Sequence, residues 1–525
     1  MKIEKFLQEI NKNLSVLGKK VALTYWKLAT EGKPEYGQAL EKVEIEMRVY
    51  LSNRERFETI KETLALNLEE TEKRQLKLLF NLMLPNQLPK EAIQKVVQKE
   101  VEIESLFANF RGHIDGKEVS NNDINEILSN NCDYSLRKKA WIAGKEIGQE
   151  VYPRLVELIK LRNENAKFLG FDNYYNMMME LQELSTEQII SMFSNFKKQT
   201  DDVFVEIKND IDKILAEKFA TSKENISPWH YSDLWFQEVP EIDSFDYSEF
   251  FKDKNIVDLV TKTYDKVGLD IKDIIERSDL YERKGKNQHA FTISMDRKND
   301  VRVLENIKSN VKWAETTLHE YGHAVYDKYI NKNLPYILRE PAHIFTTEAV
   351  AMFFGRRARD TEWYAKILSL NEEKIREIET RLSKLLRYQL AITARWVITF
   401  VFFEKELYRN PEGDLNNFWY DMVHEIQYVN TPSERRNYPD WAAKIHFGTA
   451  PVYYHNYLLG EMTASQFESF IKNNVSTDLL NKTTGEFFVE EVFKPGALKR
   501  WDNLIESSTK EPLSPKFLTD QIKEE

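Results

Sequence analysis

The pentapeptide His319-Glu320-Tyr321-Gly322-His323 is followed 25 residues later by Glu348, inside Thr-Thr-Glu-Ala-Val-Ala. This pattern constrains the local fold before it says anything about chemistry. Side chains four apart share a face only on a helix, one turn above the other. The two imidazoles therefore converge only if 319–323 is helical, and Glu348 joins them only from a second helix after a loop. The surrounding residues fit that demand. Ser309 or Asn310 can cap a helix. Val311, Ala314, Leu318, Val325 and Tyr329 then fall at helical spacing, with His319, His323, Tyr326 and Ile330 as the adjoining stripe. Gly322 leaves room for a close neighbour. A second helical pattern after Pro341 carries Glu348, Met352 and Phe353.

Two histidines and a carboxylate make the donor set of a catalytic zinc centre: His319, His323 and Glu348 supply three ligands and the fourth position stays open for water. Glu320, between the histidines, can take the proton of that water. An accidental motif of this kind should occur in roughly one chain in a hundred of this length. The helix–loop–helix setting is what lifts it above chance.

The remainder of the chain points to helices. Its 525 residues include only 17 Gly and 15 Pro, with no linker-like tract or internal repeat, and 42% are hydrophobic and 30% charged. Such a chain suits long amphipathic helices around one extended core. We expect an all-α fold acting as a single catalytic unit over 1–525. Residues 1–285 form a mainly helical lobe, 286–465 the zinc and substrate-binding core, and 466–525 C-terminal helices with a tail that frays after about Lys510. The methionines at 177–179 are expected in the core. The segment Pro228-Trp-His-Tyr-Ser-Asp-Leu-Trp is either a cleft wall or aromatic core.

Charge and cysteine use limit partners. The net charge of −11 argues against nucleic acid, whose phosphates need clustered Lys and Arg. The lone Cys132 is expected as core filler in a reducing compartment. The N-terminus lacks the apolar run of a signal peptide and reads as an amphipathic helix through Leu7, Ile10, Leu14, Leu17 and Val21. The most apolar stretch, Trp396 to Phe403, is too short to span a bilayer. A cytoplasmic protein without a membrane partner is expected; the oligomeric state is left open.

Near Asn287 the period changes. His289, Phe291, Ile293 and Met295 alternate with Ala290, Thr292, Ser294 and Asp296, which is a strand, and Val301 to Leu304 supplies its partner after a turn. The edge of this hairpin, around His289 and Ala290, can pair with an extended peptide; bracing the zinc helix is the equal alternative. Seven of the nine histidines lie between 289 and 455. Of these, His343 is expected to cap or pack, and His424 to lie at the surface or in the core.

These segments resemble the gluzincin peptidases of the angiotensin-converting enzyme, thimet oligopeptidase and oligoendopeptidase F superfamily. Leu338-Arg-Glu-Pro-Ala-His-Ile-Phe-Thr-Thr-Glu-Ala-Val is similar to their third-ligand segment. Lys444-Ile-His446, followed by Tyr454 and Tyr457, is similar to their substrate-binding and oxyanion segment, and the Ala-x-x-Leu-Gly-Phe-x-x-Tyr element near 170 is shared as well. The resemblance implies two helical lobes flanking a deep channel that admits short peptides, with one zinc ion at its floor and a small hairpin beside the motif helix. It implies Tyr457, then His446, as donors to the oxyanion, with Tyr454 and Lys444 touching substrate and Lys444 binding a C-terminal carboxylate. The run from His446 to Tyr454 is one residue longer than in angiotensin-converting enzymes, which makes Tyr454 the competing donor. His455 and Asn456 stand where those enzymes hold a chloride-binding arginine. Position 352 is Met rather than an acid, so Asp327, one turn after His323, is the substitute partner for the histidines. Three readings follow: a peptidyl-dipeptidase or oligopeptidase, an oligoendopeptidase indifferent to the C-terminus, and a zinc-binding helical protein without catalysis.

Overall fold

The structure is a computed structural model that describes residues 3–242 and 245–524. It is 71% helical, and its strands among the described residues form just two antiparallel hairpins. The chain divides into two compact units, each discontinuous in sequence. One comprises the N-terminal stretch to Gln87, Asp246–Lys384 and Leu459–Leu518; the other comprises Leu88–Phe245, Leu385–Leu458 and the stretch from Thr519.

The first unit begins with the helix Ile3–Glu31, whose buried face runs through Leu7, Ile10, Leu14, Ala22, Trp26 and Ala29. Gly32, at φ +62°, ends it, and Pro34 opens the next helix at a position where no amide donor is needed. Trp26 and Ala29 pack on Met295 and Leu304 of the expected hairpin. That hairpin pairs Phe291–Ser294 with Val301–Leu304 in the register Phe291↔Leu304 to Ser294↔Val301. His289 and Ala290 precede the strand, and the His289 amide already donates to Asn287 Oδ1 at 2.9 Å.

The second unit is organised around the helix Tyr134–Phe168. The buried Arg137 guanidinium donates to the carbonyls of Trp229 (2.8 Å), His230 (3.1 Å) and Tyr231 (2.9 Å), so the Pro228 segment is aromatic core. Met177 and Met179 are buried, as expected. A hairpin that the helical pattern concealed, Gly112–Ile114 with Lys117–Val119, turns at Asp115 and Gly116, both at positive φ. Such a turn is the usual solution for an Asp-Gly pair.

Two further expectations are corrected. Cys132 is exposed, in the short break between the helices Asn121–Asn130 and Tyr134–Phe168. The C-terminal tail does not fray: it forms the helix Lys516–Lys523, with Leu518 and Ile522 buried. The apolar run 396–403 belongs to the helix Glu372–Arg409, long and apolar enough by length and composition to cross a membrane, though 67% of its most apolar window is buried in the protein.

Candidate metal centre and its surroundings

The motif residues lie on the helix Val311–Tyr329. Asn310 caps it by accepting the Trp313 amide at 3.0 Å. The third-ligand residue lies on Ile344–Gly355, a helix buried on nearly every side. His343 caps that helix: its Nδ1 accepts the Phe345 amide at 3.1 Å, which leaves this histidine a structural role. The two helices cross closely at Gly322. A Cβ there would sit 2.7 Å from Ala351 Cα, a distance that side chains do not tolerate. Gly460 gives similar clearance behind Glu348, where a Cβ would lie 3.0 Å from both Glu348 Cβ and Met352 Sδ.

This crossing brings three lone-pair donors together. His319 Nε2 and His323 Nε2 stand 3.2 Å apart, and Glu348 Oε2 lies 3.6 Å from the first and 3.9 Å from the second. Burial lowers the His319 pKa to about 4 and holds that of His323 well below its ordinary value. Both rings are therefore neutral and keep the lone pair a metal needs. Tetrahedral bonds of roughly 2.0–2.1 Å would put ligand atoms about 3.3–3.4 Å apart. The observed spacings fit zinc.

The supporting contacts were not visible in the motif. Thr347 Oγ1 lies 2.7 Å from His323 Nδ1; with the proton on Nδ1 the ring donates to the hydroxyl, which leaves the Nε2 lone pair facing His319 and Glu348. Thr347 thus holds the place expected of Asp327. Asp327 instead lines a cavity beside the hairpin, and burial together with the neighbouring Glu340 raises its carboxyl to about 8. Thr292, on the hairpin, places its hydroxyl 2.7 Å from the Glu320 carbonyl oxygen and 3.1 Å from Glu320 Oε2. One hydroxyl proton serves one of these acceptors at a time. Burial, reinforced by the Glu348 charge, pushes the Glu320 carboxyl up to about 7 against that hydrogen bond. The alternation of the strand was the available signal for Thr292: its side chain had to face one side of the hairpin, and the zinc helix was the nearest candidate.

The remaining expected site residues belong to the second unit. Lys444 is buried rather than surface-exposed. Its ammonium donates to Gln237 Oε1 at 2.9 Å and lies over the rings of Trp235, Trp396 and Tyr454. Desolvation lowers its pKa to about 8. Tyr454 stacks on Phe400 at 3.9 Å between centroids, and Phe400 stacks on Phe447 at 4.1 Å. Burial raises the Tyr454 hydroxyl to about 12. His446 and Tyr457 meet the Tyr454 ring edge-on, at 5.1 and 5.2 Å. Two buried polar side chains hold this segment in place. Arg162 donates to the carbonyls of Phe447 (3.2 Å) and Gly448 (2.6 Å). Glu404 accepts the amide of Val452, a residue at φ +54°, at 2.9 Å. The expected substrate-side quartet of Lys444, His446, Tyr454 and Tyr457 is thus one packed cluster.

A family model described as peptidase family M3 matches residues 127–524. A search of curated proteins gave no match.

Proposed function

From the premise that the chain belongs to peptidase family M3 and is a zinc metallopeptidase with one catalytic ion, we propose that it hydrolyses short peptides with Glu320 as general base. The observation that carries this reading is the convergence of His319, His323 and Glu348, with the Glu320 carboxyl buried on the same helix. Zinc, when bound, supplies the Lewis acidity that makes water a nucleophile at neutral pH. Glu320 takes the proton of the attacking water and returns it to the leaving amine. Its raised pKa suits both transfers near neutrality. The Thr292 hydroxyl holds the carboxylate in one orientation between them. Tyr457, with His446 second, donates to the oxyanion of the tetrahedral intermediate. We place the activity in the cytoplasm, a setting supported by the single cysteine.

One observation bears on the finer choice. The Lys444 ammonium is buried and already bound to Gln237, so it is poorly placed to await a C-terminal carboxylate. This favours an oligoendopeptidase over a peptidyl-dipeptidase. The test is cleavage of short peptides by the zinc-loaded protein, mapped by mass spectrometry, with free and amidated C-termini compared. Internal cuts in both sets support the endopeptidase. Dipeptides released only from free C-termini support the peptidyl-dipeptidase, and no cuts in either set support a binding protein without catalysis.

A further inference from the structure

Beside the hairpin, within the unit that carries the metal ligands, lies a cavity of about 650 Å³. Its walls come from the first two helices, the strand Phe291–Ser294 and the end of the motif helix at Asp327. Two tyrosines, Tyr25 and Tyr336, face it. Tyr336 fits because Gly18 opposite has no side chain: a Cβ there would collide with the Tyr336 hydroxyl.

The ionisable groups of this cavity are not all paired. Arg297 is taken by an ion pair with Glu340 and lies over the Tyr336 ring. Glu44 and Arg48, of opposite sign, sit one turn apart at the exposed rim. Asp327 is different: among the described residues none donates a hydrogen bond to its carboxylate or closes an ion pair with it. Burial holds this carboxyl in its neutral form against the partial pull of Arg297, and a cationic group arriving beside it would favour the charged form.

The strand adds a backbone handle. Met295 N donates to Asp300 O at 2.7 Å, which makes Ile293 and Phe291 the hydrogen-bonded partners of the second strand. The peptide groups of Thr292 and Ser294 then point to the opposite edge, and no third strand pairs there among the described residues.

Building on the peptidase reading, we infer that this cavity selects a basic side chain of the substrate, lysine or arginine, with Asp327 as its counter-charge and Tyr25 and Tyr336 along its length. The substrate backbone pairs with Thr292 and Ser294. Because the Thr292 hydroxyl touches Glu320, the basic residue falls within about two positions of the cut bond.

The test compares peptides that differ only at one such position, carrying Lys, Arg, norleucine or Glu. In the parent, kcat/KM for Lys and Arg should exceed that for norleucine by about tenfold or more. Asp327→Asn should bring the ratio near one, and Asp327→Glu should retain a preference for the basic residues. Equal rates for Lys and norleucine in the parent, or a preference that survives Asp327→Asn, overturns the assignment. Calorimetric binding of the same peptides to Glu320→Gln reads the preference without turnover. If the parent cuts nothing while Lys peptides still bind through Asp327, the hydrolytic reading falls and the pocket stands. If peptides are cut with no preference, the pocket falls and the hydrolytic reading stands.

Discussion

The metal centre and the tyrosine segment use polar residues in opposite ways. At the metal centre, polar atoms face one another across two crossing helices, and their geometry follows from helical periodicity and one missing side chain at Gly322. In the segment from Lys444 to Tyr457, polar atoms are threaded between aromatic rings, and their positions depend on stacking and on two buried hydrogen-bonding side chains, Arg162 and Glu404. The first region should fail by chemistry while its fold survives. The second should lose its geometry when its packing is disturbed.

The largest effect tests the first half of that contrast. Glu320→Gln should retain zinc by elemental analysis and keep its thermal midpoint, yet lose turnover by about 10³-fold or more. Substantial residual hydrolysis would remove Glu320 from the base role. Next, Tyr457→Phe should lower kcat by about 10²–10³ with little change in KM. If Tyr454→Phe does so instead, the donor lies one turn earlier and the second region is less of a packing device than its rings suggest. Thr347→Val should weaken zinc about 10–100-fold in a chelator competition, with little effect on the apo fold. Gly322→Ala should destabilise the protein by about 1–3 kcal/mol, since Ala351 is backbone and cannot yield cheaply. Smallest at neutral pH is an acid effect. Arg357, Lys472 and Arg356 hold the buried Glu468 carboxyl at about 2, against the cost of its burial. Its stabilisation is complete above the ordinary carboxylate range near 4.5 and is lost as pH falls toward 2. Denaturant unfolding between those values should show the loss, and Glu468→Gln should flatten it.

What was readable in advance follows the same division. The motif helix, its Asn310 cap, the second helix with Glu348 and the hairpin at 291–304 all rest on periodicities carried by neighbouring residues, and each is where the sequence puts it. Thr347 was hidden because a threonine beside a ligand has no signature of its own; only the ring it faces gives it a role. Lys444 was hidden because burial of a lysine depends on Trp235, Trp396 and Gln237, which are distant in sequence. Asp327 shows the limit of spacing arguments: one helical turn from His323 is near enough to suggest a hydrogen bond, yet its carboxylate lines another cavity. The Asp115-Gly116 pair carries a turn signal of its own, but the helical patterns on both sides of it are stronger.

Thr347 and Glu348 are consecutive residues, so one peptide unit carries both the proposed third ligand and the hydroxyl that meets the ring of the proposed second, His323. A displacement of this helix by a fraction of an ångström would change the bite of the carboxylate and the tilt of the imidazole in the same movement. Neither error can be compensated without worsening the other. The centre therefore behaves as a single mechanical part with a narrow tolerance, and loosening the helix crossing should appear as loss of metal rather than as a gradual decline in rate.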